Sequence, residues 1–453
     1  MFELVSVVSR YVFVVYMACF LGYGAAYVIG ERGSSPKADE QQRQAGRISF
    51  QRGVMALFHV HAYLLIAHEA DFAFDTSVLA VVALGLVFML AAHIAVDRVY
   101  RGSCRLMWNC VIFLLAIGLV MLQRLAPYYP ALPGLQLTWF YLGFGATLVI
   151  PLGLRIVSRS EILGPLYLAA SGVLLALPLA FGEELHGAYR WVQLGGISFQ
   201  PSALVKFLLV FYLASLLRHR RGLRELVLPT LAVAGMVLLL VASVDLGSAL
   251  IFFMTYMVMV YISTGSGLIL ASGFGAASAA SVAAYHMFAH LRRRIVAWQD
   301  PWGHIDNEGF QLAHSLFAIG TNGLFGAGLA RGMPQVVPVV ASDFIFAAIA
   351  EEFGAVFGVG LIGIFVLIFY RGCYVALRCA KPYYALLAAG FTSLLAFQTF
   401  VILGGVSTLI PLTGITLPFV SYGGSSAVVS IMMIGVIQWV YIYNTREGGM
   451  TDG

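Results

Sequence analysis

The chain has 453 residues, of which 60% are hydrophobic and 10% carry a charge, and its mean hydropathy is +0.90. Most of it lies in apolar runs of about 17 to 25 residues, the length that a helix needs to cross roughly 30 Å of hydrocarbon. This composition predicts an all-α polytopic membrane protein. It excludes a long soluble domain, and it argues against a transmembrane barrel, whose strands are alternating segments of about ten residues.

Thirteen apolar runs are candidate membrane spans. The second is the weakest, because His59, His61 and His68 interrupt it, and these histidines share no helical face with a third zinc ligand. The runs lie near 11–30, 53–69, 77–97, 105–123, 137–157, 163–182, 203–218, 226–244, 246–264, 267–287, 342–370, 383–404 and 425–444.

The basic residues predict the orientation of the chain, since short cytoplasmic segments carry an excess of Lys and Arg. With the C-terminus in the cytoplasm, alternate segments hold eighteen of the 26 basic residues and the opposite segments hold seven. Arg10 alone precedes the first run, so a cleaved leader is not expected. Five cysteines without paired spacing imply no disulfide framework, and the net charge of +5 without a basic, aromatic-interleaved run argues against nucleic acid as a partner.

Four connecting segments differ from short turns. Residues 31–52 are polar and are predicted to form a cytosolic loop. Three predicted external segments, 183–202, 288–341 and 405–424, are rich in Gly, Pro, Trp and Tyr, which is typical of shaped loops at a membrane interface. We expect these three segments to roof one outward-facing cavity.

The first motif surrounds a lysine within an apolar run. A charge at membrane depth costs roughly 3 kcal/mol and usually marks function. Arg190 and Trp191 precede Pro201, which suits the first turn of a helix, and Ser202, which would cap that helix. Lys206 would then be a fixed cation for an anionic ligand one turn inside the membrane. The alternatives are that Lys206 snorkels to the interface and that Arg190 is a rim charge.

The second motif is a predicted amphipathic helix over residues 310–320, where apolar side chains recur at helical spacing. Gln311 and Ser315 lie off its apolar face and are candidate substrate-binding residues. The glycine cluster that follows, 320–328, would let the backbone approach a phosphate, although turn chemistry explains it equally well.

The third motif contains three carboxylates at the entrance to a run. Asp343 stands where a long external segment enters the membrane, so its carboxylate is predicted to face a wet cavity. A helix N-cap would explain an aspartate there equally well. Glu351 and Glu352 lie two turns deeper, and adjacent carboxylates within a span seldom have only a packing role.

The fourth motif is irregular backbone between the last two runs, where Pro411, Pro418 and several small residues prevent a continuous helix. Such backbone is tolerated at membrane depth only where protein or water satisfies it, so a re-entrant loop lining the same cavity is predicted. Its candidate substrate-binding residues are Pro418, Ser421, Tyr422, Gly423, Gly424, Ser425 and Ser426.

These motifs, in this order, resemble the SEDS (shape, elongation, division and sporulation) family of RodA and FtsW type. The resemblance covers roughly residues 105–445 and also includes the turn Asp245-Leu246-Gly247. The family has ten spans, and ten predicted spans lie from residue 105 onward, so residues 1–100 look like an N-terminal addition. Residues 446–453 are a short predicted cytosolic tail.

The resemblance implies a peptidoglycan glycosyltransferase of the bacterial cytoplasmic membrane that polymerises lipid II on the outer face. It also implies a class B penicillin-binding protein as the crosslinking partner. Asp343 matches the aspartate regarded as essential for catalysis in the family. The chain departs from the family pattern at Ala203, where Glu is common, at Val339 and Ala341, where Glu and His are common, and at Ile402, where Asn is common. The change at Ala203 removes the expected salt-bridge partner of Lys206.

The implied reaction is the attack of an acceptor hydroxyl on an anomeric carbon whose leaving group is a lipid diphosphate. Asp343 would be the base or would orient the acceptor, and Arg190, Lys206 and Arg292–Arg294 would hold the diphosphate. One carboxylate fits an inverting displacement. A divalent cation such as Mg²⁺ or Mn²⁺ could replace some of these cations, because Asp343 and diphosphate oxygens are hard ligands.

Two other functions stay open at this stage. A lipid II flippase would line a passage with Lys206, Asp245 and the two glutamates, although the halves of the chain show no convincing internal repeat. The third function is a non-catalytic scaffold that recruits and regulates a penicillin-binding protein, and the retention of Asp343 amid a changed neighbourhood argues mildly against it.

Overall fold

The structure is a computed structural model that describes residues 2–31, 38–69, 76–156, 162–185, 188–194, 197–218 and 223–446. These residues form sixteen α-helices and one three-stranded antiparallel sheet. The helices are α1 (Phe2–Gly30), α2 (Ala38–Glu69), α3 (Thr76–Val99), α4 (Arg105–Arg124), α5 (Leu132–Ile156), α6 (Gly164–Phe181), α7 (Pro201–Leu217), α8 (Val227–Ala242), α9 (Leu246–Thr264), α10 (Gly267–Met287), α11 (Ala289–Gln299), α12 (Phe310–Thr321), α13 (Ile345–Phe353), α14 (Ala355–Leu377), α15 (Pro382–Val406) and α16 (Gly424–Arg446). The strands are β1 (Glu183–Leu185), β2 (Ala188–Leu194) and β3 (Ile197–Phe199).

The described residues include ten helices that are long and apolar enough to cross a membrane. A further apolar helix, α7, has 17 residues. The prediction of an all-α polytopic membrane protein is confirmed. The ten apolar stretches are Val7–Gly30, Leu79–Val99, Arg105–Arg124, Gly164–Phe181, Arg224–Ala242, Leu246–Thr264, Gly267–Met287, Ala355–Leu377, Pro382–Val406 and Gly424–Arg446.

The run predicted at 342–370 is not one helix. It divides into α13 and α14 at Gly354, whose φ of 89° lies in the left-handed region that favours glycine. A Cβ at Gly354 would lie 2.4 Å from the carbonyl oxygen of Leu324, because residues 324–326 pass directly over this point. Hydropathy alone does not reveal the break, since the residues on both sides are apolar.

The predicted loop 31–52 also differs from the structure. Residues 38–52 form the first part of α2, which extends the second predicted run by about four turns. Arg47 and Arg52 are held along this extension by Glu40 and Asp97 respectively, each at 3.0 Å. Residues 32–37 and the predicted tail from 447 onward lie outside the described residues.

The bundle is built around α4, almost all of whose residues are buried. α2, α5 and α14 pack against α4, and α15 packs against α7, α9, α14 and α16. The predicted N-terminal addition is therefore joined to the rest of the bundle through α4 and α14.

Three connections between long helices contain shorter elements or irregular backbone. The sheet β1-β2-β3 joins α6 to α7, and its register pairs Glu183 with Trp191 and Val192 with Phe199. α11 and α12 lie between α10 and α13, and irregular backbone joins α15 to α16. The predicted amphipathic helix at 310–320 is confirmed as α12, and Pro201 is confirmed as the first residue of α7.

Candidate active site

Asp343 lies in a turn that ends immediately before α13. Its backbone N–H donates to the carbonyl oxygen of Val339 at 3.2 Å, and its side chain is half-buried. The N-cap residue of α13 is Phe344, so helix capping does not account for the aspartate.

Asp343 and two arginines converge on Gly414, in the irregular backbone between α15 and α16. A Cβ built on Gly414 would lie 3.6 Å from Oδ2 of Asp343, 3.3 Å from Nη2 of Arg294 and 3.7 Å from Nη1 of Arg190. The φ of Gly414 is +72°, and the missing side chain leaves space between the three charged groups. Segments that are far apart in the chain thus place one carboxylate and two guanidinium groups around one small volume.

Backbone carbonyls fix both arginines. Arg190, on β2, donates through Nη2 to the carbonyl oxygen of Val244 at 2.8 Å, between α8 and α9. Arg294, on α11, donates through Nη1 to the carbonyl oxygen of Leu412 at 3.2 Å. Trp298, one turn further along α11, donates to the carbonyl oxygen of Thr408 at 2.8 Å and anchors the same loop. In each guanidinium the other terminal nitrogen is the one near Gly414.

The electrostatics of these groups are coupled. Burial raises the pKa of the Asp343 carboxyl, while a hydrogen bond from Ser342 and the charges of Arg294 and Arg190 act to lower it. Burial and repulsion from Arg190 lower the pKa of Arg294, and attraction to Asp343 opposes that shift. Asp343 therefore binds a proton more strongly than an exposed aspartate, which suits a general base.

A cavity of about 470 Å³ adjoins Asp343 and Arg294. This volume is within the range of small-molecule sites. Its walls come from α11, from α12 and the turn before it, from the turn before α13, and from the irregular backbone after α15. The lining residues are Arg293, Arg294, Ala297, Asp306, Asn307, Glu308, Phe310, Gln311, Leu312, Pro338, Asp343 and Leu412.

Lys206 belongs to a second polar group, centred on Asp245. The carboxylate of Asp245 accepts from the hydroxyl of Ser202 at 2.9 Å, from Gln200 at 3.3 Å and from the N–H of Ser248 at the start of α9. Lys206 is 6% exposed and is attracted by the charge of Asp245. The prediction that Ser202 caps α7 is wrong, because its hydroxyl bonds to Asp245 and the N-cap residue is Gln200.

The fourth motif holds the Asp343 turn in place. The N–H of Tyr422 donates to the carbonyl oxygen of Ala341 at 2.8 Å, and the hydroxyl of Ser421 donates to that of Ser342. The same hydroxyl accepts from the N–H of Leu417 at 2.9 Å. These bonds fix the two residues that precede Asp343.

The remaining residues of this motif join neighbouring helices. The N–H of Gly423 donates to Gln136 on α5 at 3.2 Å, and a Cβ at Gly424 would overlap the ring of Trp139 at 2.2 Å. Ser425 accepts from the N–H of Gln200 at 3.3 Å. Ser426 accepts a hydrogen bond from the hydroxyl of Thr416 at 2.9 Å. Pro418, which lies between these two residues in the chain, is buried.

Glu351 and Glu352 lie at the far end of α13 and hold a different segment. Glu352 is 0% exposed and pairs with Nε of Arg124 at 2.9 Å. Its second oxygen accepts from the N–H of Ala330 at 3.2 Å, and Glu351 accepts from the N–H of Met333 at 2.7 Å. These contacts fix residues 330–333 on α13, and a substrate role for the two glutamates stays a prediction.

The other predicted substrate-binding residues, Gln311, Ser315 and Trp191, lie in three different places. Gln311 lines the cavity with Asp343. Ser315 is buried and donates to the carbonyl oxygen of Val406 at 3.5 Å, which joins α12 to the end of α15. Trp191 is half-buried on β2, next to Arg190.

Sequence reasoning missed Gly414, Gln136 and Arg124. No pattern distinguishes Gly414 from the other small residues around it, since its importance comes from three distant side chains. Arg124 at the end of an apolar run was the one available signal, because a charge there needs a partner.

Strained backbone surrounds the site. Val339, Val244 and Phe419 have φ values of 55°, 60° and 67°, in a region that bulky residues rarely adopt. Val339 and Val244 supply the carbonyl oxygens that fix Asp343 and Arg190. Such strain persists only where the surrounding structure enforces it, and it is common at functional sites.

Three of the four departures from the family pattern lie at buried positions, and the fourth, Val339, is 49% exposed. Ala203 and Ile402 are each 1% exposed and Ala341 is 9% exposed. Without a glutamate at Ala203, the negative charge that faces Lys206 comes from Asp245.

Protein side chains do not form a metal site in the described part of the chain, where no group of three or more His, Cys, Asp or Glu residues could hold an ion. Asp343 also has two guanidinium neighbours, which would repel a cation placed beside it alone.

The fold and the site together define a multi-pass membrane protein with a charged cavity between α11, α12 and the turns that hold Asp343 and Leu412. The sequence profile of the FtsW, RodA and SpoVE cell cycle proteins matches residues 104–446, and the chain belongs to this family. It is 32% identical over 383 residues to the peptidoglycan glycosyltransferase RodA of Mycobacterium tuberculosis, covering 78% of this chain and 81% of that protein. It is 33% identical over 294 residues to the probable peptidoglycan glycosyltransferase FtsW of Bacillus subtilis, covering 59% and 72%.

A solved structure shares this fold. It is a peptidoglycan synthase complex described as coordinating polymerisation and crosslinking, and it superposes with a TM-score of 0.64 at 30% identity. The match covers 75% of this chain and 98% of that chain.

Proposed function

We propose that this chain is a peptidoglycan glycosyltransferase that polymerises lipid II into glycan strands. Its family and its relatives named as peptidoglycan glycosyltransferases support the activity. The observation that carries the proposal is the convergence of Asp343, Arg190 and Arg294 around Gly414. A carboxylate beside two fixed cations supplies a base for the acceptor hydroxyl and positive charge for a departing diphosphate, and both assist sugar transfer.

In the proposed reaction Asp343 accepts the proton of the acceptor hydroxyl as that oxygen attacks the anomeric carbon. The bond from that carbon to the diphosphate oxygen breaks, and Arg190 and Arg294 stabilise the charge on the departing diphosphate. No second carboxylate acts as a nucleophile, so the displacement inverts the anomeric centre. Arg293 and Gln311, on the cavity wall, contact the sugars or the diphosphate.

The proposed site faces outward from a bacterial cytoplasmic membrane, with the C-terminus inside. The distribution of basic residues supports this orientation. The proposed partner is a class B penicillin-binding protein, which would crosslink the strands. The likeness to a synthase complex described as coordinating polymerisation and crosslinking supports such a partner.

A divalent cation such as Mg²⁺ or Mn²⁺ is a separate proposal, supported by the hard oxygens of diphosphate and of Asp343. Most of its ligands would be substrate oxygens and water. Titration of the chelated protein with each ion, in the presence of lipid II, tests this proposal by the polymerisation rate.

The activity is tested with purified full-length protein and labelled lipid II. Wild type should form glycan polymer, and Asp343→Asn should lower the rate by about 10²-fold or more, because it loses the base. Asp300→Asn is the matched control: Asp300 is exposed, and its oxygen accepts from the N–H of Gly303 at 2.8 Å, which an amide can replace.

Each other outcome contradicts the proposal in a different way. Movement of lipid II across liposomes without polymer would support a flippase. Polymer formation by Asp343→Asn at the wild-type rate would remove Asp343 from the chemistry. Absence of polymer with any partner or ion, together with partner binding, would support a scaffold.

A further inference from the structure

The residues before 104 lie outside the family match, yet they are packed against the part of the chain that carries Asp343. The N-terminal helices α1 and α2 reach the junction of α13 and α14. We infer that they are a positioning element for the proposed polymerisation site, acting on Asp343 through α13. This inference rests on the proposed function for its activity readout.

Close packing joins α1 to α14. A Cβ at Gly360, on α14, would lie 2.2 Å from Cγ of Met17, and one at Gly363 would lie 3.2 Å from a methyl group of Leu21. Small residues on one helix let another approach closely, which is a common basis of helix association in membranes. α1 is thus packed closely against the first half of α14.

An aromatic cluster continues this contact to α13. Phe13 on α1 lies edge-on to Phe353, the last residue of α13, with 5.0 Å between ring centroids. Phe58 on α2 stacks at 6.0 Å on Phe357 of α14, which stacks at 4.6 Å on Phe353. All four rings are 0% exposed. Nearby, Tyr11 on α1 contacts Phe325 at 4.9 Å.

Next to this cluster, the end of α13 is bonded to the loop that precedes it in the chain. The carbonyl oxygens of Glu351 and Glu352 accept from the N–H groups of Ala327 and Gly328 at 2.8 and 2.9 Å. Residues 324–326 lie against Gly354, where a Cβ would meet backbone atoms at 2.4 Å. The aromatic cluster therefore packs against the point where α13, α14 and the preceding loop are joined by hydrogen bonds and close backbone contacts.

α13 connects this point to the proposed base. It has 9 residues, about 13 Å in length, and begins two residues after Asp343. A packed helix of this length moves as a unit, so displacement of Phe353 shifts the turn that holds Asp343. A shift of about 1 Å at a reacting group can lower the rate about 10²-fold.

The test compares full-length variants by polymerisation kinetics and by hydrogen exchange in residues 338–353. In Phe13→Ala we expect kcat to fall about 10- to 100-fold with KM within about twofold, and exchange in 338–353 to rise. Phe13→Met, which keeps most of the volume, should restore most of the rate. Val15 lies on the same helix and is 56% exposed, so Val15→Ala should behave as wild type.

Tyr11→Ala serves if Phe13→Ala does not fold. Tyr11 is 43% exposed, so its loss spares the core while removing the contact with Phe325. It should raise exchange in 323–333 and lower kcat several-fold.

An unchanged kcat with unchanged exchange in these segments would overturn the inference, and so would a rise in exchange spread evenly along the chain. If wild type forms no polymer, the proposed function fails. The exchange comparison between Phe13→Ala and Val15→Ala would still decide whether α1 positions the Asp343 turn.

Discussion

At the scale of single residues, two opposing electrostatic effects act on the pKa of Asp343. Burial raises its pKa, and the nearby guanidinium groups of Arg294 and Arg190 hold it below the value that burial alone would give. The effect of burial suits a base, because a carboxylate with too low a pKa would not take a proton from a hydroxyl. The arginines thus bind the leaving group and also adjust the base.

The pH dependence of the rate follows from this balance. The carboxylate form of Asp343 is populated only above its raised pKa, so kcat/KM should fall as the pH falls, with an apparent pKa above the ordinary value of about 3.9. Its contribution to folding stability has the opposite dependence and is lost as the pH rises through the raised pKa. Arg294→Gln removes a charge that lowers this pKa and should move the acid limb to higher pH.

His290 provides the control for that experiment, since it lies on α11 near the same arginines. Burial, Arg294 and Arg190 lower the pKa of His290. His290→Gln should leave the acid limb in place if Asp343 causes it. An acid limb that disappears in His290→Gln, or that stays fixed in Arg294→Gln, would assign the titration to another group.

At the scale of elements, the helices could be predicted from sequence but the break between α13 and α14 could not. Apolar run length fixed most helices to within a few residues, and Pro201 fixed the start of α7. The division at Gly354 could not be predicted, because it depends on contact with residues 324–326, which lie outside the α13–α14 run and precede it in the chain. Motif order named Asp343 and Arg190 as candidates, and the structure brings both near Gly414, whose own importance depends on that three-dimensional convergence.

Two glycines, one at this junction and one inside α14, allow a matched experiment. Gly354→Ala should destabilise the protein by about 1–2 kcal/mol for its φ of 89°, and by more because the new Cβ would meet backbone at 2.4 Å. Gly358 lies inside α14, and a Cβ there would be at an ordinary contact distance of 3.4 Å from the ring of Phe346. Gly358→Ala should therefore leave the stability of the protein unchanged or raise it by about 0.5–1 kcal/mol. Thermal unfolding in detergent measures both, and equal effects would show that the junction is not constrained.

At the scale of the whole molecule, the N-terminal helices and the family core share buried polar contacts as well as apolar ones. Asn109 on α4 donates to the carbonyl oxygen of Ile48 at 3.2 Å and to the side chain of Gln51 at 3.1 Å, both on α2. Because an unpaired polar group inside a membrane protein is costly, these contacts make separation of the two parts unfavourable. The chain is therefore one packed bundle and not a core with an appended anchor.

Arg371 shows how strongly the two parts depend on each other. It is 1% exposed on α14, pairs with Glu31 at the end of α1, and donates through Nε to Sγ of Cys104 at 3.1 Å. Glu31→Ala leaves this charge buried without its partner and should destabilise the protein by about 3–5 kcal/mol. Arg105→Ala removes a partner of Asp97 that is 53% exposed, and should cost less than about 1 kcal/mol. Thermal unfolding of both variants measures the difference. A Glu31→Ala protein as stable as Arg105→Ala would mean that the N-terminal helices are held by packing alone, since the buried charge would then have found another partner or water.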